Sequence, residues 1–447
     1  MNLLQTSISR AEAVAERLMK HWRLAGLLLG LLLTLSVDNP PLMSIEARVD
    51  RQLTGQQFDF VIWETRAVWK KVRHSLLSPE RAMTEKARRD FVLDFLALVG
   101  EAQQLESQIQ RTYVNPEVAD PDAATADLRT RRKDVRATIS VRQPLAEAIL
   151  EQQVASVLRD ERFGLLGQEL PPVKMHITTL PQLLILSPRD HIERVYQLNL
   201  VHGLSTAEQE AIEEQIDTTF DVSSLITGIG GLAAYPSMLL ESNSINWVTE
   251  VTAHEWTHHY LTPRPLGWHY LSSGETRTIN ETVASIVGKE VGRRVVGRYY
   301  PEYLPAEPEA EPEPSEDQPT EPPTFDFHLE MRETRVEVDR LLAEGKVGDA
   351  EAYMERRRRL FVEQGYAIRK LNQAYFAFHG AYADQPGAAG EDPIGPAVRE
   401  VFVRSPDLHS FVNSLAGVTT LEELEAVLDE LPRRTSAQGT GASTRSG

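Results

Sequence analysis

The segment Val248–Leu261, VTEVTAHEWTHHYL, carries His254, Glu255 and His258 in the order H-E-x-x-H. On an α-helix, positions four apart lie one turn apart on the same face. Two imidazoles so placed reach one zinc ion, and the carboxylate beside them faces a metal-bound water. Zinc lowers the pKa of that water, and Glu255 is the candidate general base that takes its proton as the oxygen attacks a carbonyl. A catalytic zinc site keeps three protein ligands and one open position. Two residues compete for the third place. Glu281, in TINETVAS, sits on the next predicted helix, although Thr278-x-x-Glu281 also reads as a capping box. Ser272-x-x-Glu275 is a second such box, and if Ser272 is the cap, Glu281 lies two turns inside the helix. His269 is the rival, but the spacing of a three-histidine site would put its glycine at Leu261, which rules that pattern out. His259 points to another side of the helix.

The elements that must position these groups follow from periodicity. The pattern predicts helices over Ile245–Leu261 and Gly274–Tyr299. Ala284, Ser285, Gly288 and Gly292 share roughly the face of Glu281, and small residues let the second helix approach the first closely. Upstream, from Pro171, short β-rich runs alternate with an acidic helix, Thr206–Phe220, for which Ser205 is the N-cap. This is an α+β pattern with a mixed sheet. Residues 44–165 read as a helical hairpin or three-helix stalk. Its stripe of Phe58, Val61, Ile62, Thr65, Val68, Trp69 and Val72 is expected to pack in a core. Residues 301–324 form a Pro/Glu tract without Lys or Arg, which reads as a spacer. Helices are expected again at Phe325–Glu344, Asp349–Asp384 and Leu421–Leu431, in a helical subdomain over 325–432. A disordered tail is expected over 433–447.

An oxyanion donor is also required, and LNQAYFAFHGAYAD offers Tyr375, His379 and Tyr382. Tyr382 is favoured because Gly380 beside it allows a close backbone approach.

VTAHEWTHHYL followed by NETVAS resembles the gluzincin zinc metallopeptidases, both the thermolysin-like and the membrane alanyl aminopeptidase-like branches. The resemblance covers about residues 228–297. It implies a zincin-like core, zinc held by His254, His258 and Glu281, Glu255 as the base, and a peptide or protein substrate. It also implies that the strand before the histidine helix, Gly230–Leu240, pairs with an extended substrate by edge addition. Two features depart from it. The position four after Glu281, an Asp in the thermolysin pattern, is Ser285, and the aminopeptidase motif GAMEN is absent.

Composition bounds the rest. The chain has 447 residues, no Cys, and a net charge of −18 from 47 basic and 65 acidic residues. Disulfides, thiolate ligands and a cysteine nucleophile are excluded, and the acidity argues against nucleic acid as a partner. Leu24–Val37, LAGLLLGLLLTLSV, follows Arg10, Arg17, Lys20 and Arg23. At about 21 Å of helix it suits a signal-peptide core or a short membrane anchor, with the catalytic part outside the cytoplasm. The expected protein is a membrane-associated or exported zinc metallopeptidase. The alternatives are a noncatalytic scaffold that keeps a metal site and a zinc hydrolase of a non-peptide amide or ester.

Overall fold

A computed structural model describes residues 44–75, 78–115, 117–165, 167–305, 325–384 and 387–432. The apolar segment 24–37, residues 306–324 of the Pro/Glu tract and the tail 433–447 lie outside them. Among the described residues no helix is long and apolar enough to cross a membrane, which corrects the expectation of a transmembrane chain. The chain divides into two compact units after Gly55. The first contributes helix α1 (Ile45–Gln52), whose N-terminus is capped by Ser44 accepting from the Ala47 N–H.

The second unit is α+β. It opens with three helices, α2 (Phe60–Ser75), α3 (Glu85–Val114) and α4 (Ala126–Asp160). The contacts Glu85–Gln153, Asp94–Arg142 and Glu106–Arg132 run in opposite order along α3 and α4, so these two form an antiparallel hairpin. Phe95, Val99 and Ala102 pack there against Ile139, Ile149 and Leu150. The carboxy-terminal half of α4 enters the main core through Val154, Val157 and Leu158, so it braces the site rather than standing apart as a stalk. Helix α2 overturns its predicted packing. Val61, Ile62, Val68 and Trp69 are exposed, and the inward face carries Ala67 and the amine of Lys71 instead. The reason is ionic: Lys71 is drawn between the buried carboxylates of Glu147 and Glu151, 2.6 Å from each.

After a two-stranded ladder of Gly164–Leu165 and Gln168–Glu169, two three-stranded sheets follow. Strands β1 (Met175–Ile177), β2 (Gln182–Pro188), β3 (Tyr196–Leu200), helix α5 (Thr206–Phe220) and strands β4 (Val222–Thr227), β5 (Gly231–Leu232) and β6 (Ser237–Leu239) run in that order. One sheet is antiparallel, in the order β3-β2-β4; the other is mixed, in the order β1-β6-β5. The strand expected over Gly230–Leu240 is therefore two short strands paired antiparallel, and only β5 is an edge. The outer edge of β1 is sealed by α4. Glu151 accepts from the Met175 N–H at 3.0 Å and Glu147 from the Ile177 N–H at 2.8 Å. Helix α5 has the predicted bounds and a complete capping box of Ser205 and Glu208.

Helices α6 (Ile245–Leu261) and α7 (Gly274–Tyr299) form the centre. Ser244 caps α6 and Ser273, not Ser272, caps α7, accepting from the Thr276 N–H at 3.1 Å. Glu275 is thereby free of a capping box and accepts from the Leu421 N–H. Glu281 lies two turns inside α7, so it caps nothing. Gly288 and Gly292 face α6 directly. A Cβ at Gly292 would sit 2.9 Å from the Glu250 backbone, and one at Gly288 would sit 3.1 Å from the His254 Cβ.

Beyond the Pro/Glu tract lie α8 (Phe327–Ala343), α9 (Val347–Glu363), α10 (Gln373–His379), α11 (Ile394–Arg404), α12 (Leu408–Leu415) and α13 (Leu421–Glu430). The long helix expected over 349–384 is broken between α9 and α10, where Asn372 caps a new helix by accepting from the Tyr375 N–H. Helix α10 lies on the antiparallel sheet through Ala374 and Phe378 against Leu183, Ile185 and Leu225. Residues of α11, α12 and α13 join the core of α6 and α7. The tract itself begins in ordered structure, with Glu302 paired to Arg89 and the Tyr303 carbonyl accepting from Asn246.

Two stability predictions follow from these contacts. Gly292→Ala forces a Cβ into the Glu250 backbone, an overpacking cost of about 1–3 kcal/mol. Denaturant unfolding of the variant should show that loss, and an unchanged midpoint would mean the helices separate freely. For Glu147, burial alone would raise the carboxyl, but Lys71 and His176 outweigh it and hold it at about 2. A folded value below the ordinary one gives stability that is complete above about 4.5 and lost as pH falls toward 2. Glu147→Gln should therefore cost on the order of 3 kcal/mol at pH 7 and markedly less at pH 3. A penalty of the same size at both pH values would refute the ionic account of α2.

Candidate metal centre

His254 and His258 project from consecutive turns of α6, and Glu281 meets them from α7. The two Nε2 atoms are 3.1 Å apart. Glu281 Oε2 lies 3.4 Å from the first and 3.6 Å from the second. Ligand atoms about 2.05 Å from a tetrahedral zinc are separated by about 3.3 Å, so the three donors have the spacing that zinc requires. These residues also form a candidate three-donor group with all ligand atoms within 4.8 Å of one another.

The hydrogen-bond inventory tests whether a cation fits. Glu281 Oε1 accepts from the Tyr270 hydroxyl, whereas Oε2 is buried with no hydrogen-bond partner. An orphaned buried carboxylate oxygen is costly unless a cation meets it. His258 Nδ1 lies 2.7 Å from Asn280 Oδ1. Asn280 Nδ2 donates to the Leu266 carbonyl at 3.1 Å, which fixes the amide orientation. His258 therefore donates from Nδ1, and its Nε2 lone pair faces the cluster, the arrangement metal-ligating histidines adopt. Burial drives His258 down to about 4, so it is neutral. Burial would raise Glu281, but the two histidines and the Tyr270 hydroxyl outweigh it and hold it at about 2, so it is ionised. Burial would lower His254, but Glu281 and Glu255 outweigh it and raise it, so the proton facing Glu281 sits on His254 and leaves when a metal binds. The donor set fits zinc.

Glu255 lies one residue round the helix from His254 and is 5% exposed. Desolvation pushes its carboxyl up to about 7. It rests against β5, where a Cβ at Gly231 would overlap the carboxylate, so glycine is what admits it. These groups open onto a cavity of about 400 Å³ walled by β5, Tyr270 and Tyr382 among others.

Of the three oxyanion candidates, only Tyr382 lines that cavity. Its ring stacks toward His254 at 6.3 Å between centroids. It lies in the turn after α10, not on the helix, and Asp384 is tied to Lys289 of α7. The residue is 37% exposed, but desolvation of its hydroxyl within the cavity, together with Glu281, Tyr270 and Glu255, holds that group well above 10, so it is a donor at neutral pH. Tyr375 and His379 stack on each other at 4.2 Å and are outside the cavity. His269 is exposed, next to Ser272, and His259 bonds to Ser237 Oγ at 3.0 Å, so neither joins the centre.

Sequence reasoning passed over Tyr270, Asn280, Gly231 and Arg194. Asn280 had a signal, since it adjoins Glu281 in the NE pair and therefore projects from nearly the same turn. The other three arrive from separate elements, and no spacing in the chain announces them.

Zinc-loaded protein should hold about one zinc per chain by elemental analysis. Asn280→Ala removes the partner of His258 and should weaken zinc binding by about 10–100-fold, and Glu281→Ala by at least as much. Retention of wild-type affinity in Glu281→Ala would remove that residue from the ligand set. Compared with protein-family models, curated proteins and solved structures, the chain matches none of them.

Proposed function

We propose that this chain is a zinc-dependent peptidase of gluzincin type. The observation that carries the reading is the convergence of three candidate donors, a buried carboxylate and a phenol donor on one cavity with an open strand edge. His254, His258 and Glu281 would hold the ion, which when bound supplies a Lewis acid and lowers the pKa of water. Glu255 accepts a proton from the attacking water and can return it to the leaving amine. The desolvated wall at Gly231 keeps that carboxylate close to neutrality in affinity for its proton, as a shuttling base requires. Tyr382 donates to the oxygen that gains charge when the carbonyl is attacked. Strand β5 offers Gly231 and Leu232 beside the cavity and is an edge of its sheet. An extended peptide added there presents its carbonyls to the same space.

A zinc hydrolase of another amide or ester would use the same centre. The strand edge favours a peptide, because it matches main-chain donors and acceptors that a small ester lacks.

Glu255→Gln preserves size and hydrogen-bonding reach and removes the base. Zinc content should stay at wild type while turnover of a peptide mixture falls by about 10²–10⁴-fold. Tyr382→Phe should lower kcat by about 10²–10³-fold with zinc unchanged. Undiminished hydrolysis by a zinc-replete Glu255→Gln protein would eliminate this mechanism.

A further inference from the structure

Elsewhere in the second unit, buried charges meet partners. Glu147 and Glu151 meet Lys71, and Glu213 takes two bonds from Arg369 at 2.9 and 2.6 Å. Two arginines break this pattern. Arg194, in the connection before β3, is 9% exposed, and Arg277, on the first turn of α7, is 7% exposed. Neither has an ion-pair partner among the described residues. Arg194 Nε and Nη2 and Arg277 Nε are buried without any hydrogen-bond acceptor.

Both lie at the metal centre. Arg194 lines the cavity that holds His254, Glu255 and Glu281. The Arg277 guanidinium stands 6.0 Å over the Tyr270 ring. The carboxylates that face them are engaged elsewhere: Glu281 by Tyr270 and the two histidines, and exposed Glu193 by His191 at 3.2 Å. Among the described residues Arg194 has only the Tyr270 hydroxyl as a partner, and leaving its buried Nε and Nη2 without an acceptor is unfavourable, so the site is built for an anion that arrives. A guanidinium with free N–H groups takes a carboxylate through parallel bonds. The same wall carries Asn199, whose Oδ1 is buried without a donor. That oxygen is an acceptor waiting for an N–H. An unpaired cation and an unpaired amide acceptor on one wall match a carboxylate and a peptide N–H on one ligand.

We propose that the cavity selects substrates bearing a carboxylate, with Arg194, backed by Arg277, binding that group and Asn199 accepting an N–H of the same ligand. This rests on the peptidase reading for calling the ligand a substrate. The carboxylate is either a peptide's C-terminus or an acidic side chain next to the scissile bond, and both present the same group.

Three N-acetylated tripeptides of one core sequence separate these cases: one with a free C-terminus, one amidated, and one amidated with Glu as its last residue. Binding is measured by calorimetry on metal-free wild type and on zinc-loaded Glu255→Gln protein, the second expected to turn peptide over about 10²–10⁴-fold more slowly. At least one carboxylate-bearing peptide should bind ten-fold or more tighter than the uncharged amide. Preference for the free C-terminus assigns a carboxypeptidase-like mode, and preference for Glu assigns an acidic specificity within chains. Arg194→Gln should abolish the preference and Arg194→Lys should restore part of it. Equal binding of all three peptides to the wild-type chain, which needs no variant to fold, overturns the proposal. So does a preference that survives in Arg194→Gln. Hydrolysis is scored separately: a carboxylate preference without cleavage by the zinc-loaded wild type would overturn the peptidase reading and leave the anion site standing.

Discussion

The close contact between α6 and α7 is the constraint from which the centre follows. A metal site of this kind needs one ligand from a helix other than the histidine helix, delivered to within a few tenths of an ångström. Gly288 and Gly292 remove the side chains that would hold the two backbones apart. At that separation Glu281, about two turns back along α7, reaches the space between His254 and His258. The same register brings Asn280 under His258, so the neighbour of one donor orients another. Helix packing therefore sets ligand distance, tautomer and carboxylate ionisation together.

Several other elements of the second unit hold that pair in place or enclose the space above it. Trp256 and Tyr260 on α6 pack on Phe163, and the Trp256 indole donates to the Pro171 carbonyl at 2.7 Å. The mixed sheet lies along the same helix, with its outer edge closed by Glu147 and Glu151 so that its other edge, β5, is the one left open. The antiparallel sheet carries α10 and, through its turn, Tyr382. A distant segment of sequence is thus pinned to the cavity by apolar contact with one sheet and by the Lys289–Asp384 pair with α7.

The legible parts of the sequence were those in which local signals agree. Helices α5, α6 and α7 have the bounds read from periodicity and caps, and His254, His258 and Glu281 converge as their spacing implies. The misreadings have tertiary causes. An apolar stripe on α2 looked like a core face, but the ionic bond of Lys71 to α4 turns the helix the other way. The cap of α7 fell one residue away because Ser272 and Ser273 are adjacent and equally suited. The break between α9 and α10 hides in a stretch whose aromatic residues still repeat at helical spacing, while Asn372 starts a new helix. Arg194, Tyr270 and Gly231 were invisible because their meaning lies in what they approach, and each approaches residues far away in the chain.

The charge of the whole chain and the charge of the cavity have opposite signs, and distance decides which one a ligand feels. At −18 the chain repels an anionic peptide from afar, and ordinary salt screens that repulsion within about 8–10 Å. Inside the cavity the screening is gone. Arg194 stands in its wall with Nε and Nη2 unpaired, near Glu281, whose carboxylate is already committed to its histidines. On the proposed carboxylate binding, an arginine in the wall of a cavity under an acidic surface would give little help to encounter and more to discrimination once the ligand is seated, because a desolvated guanidinium rewards only a group that completes its bonds. The acidic exterior and the buried Arg194 are therefore compatible: under the proposal, one would set how a ligand approaches, and the other which ligand stays.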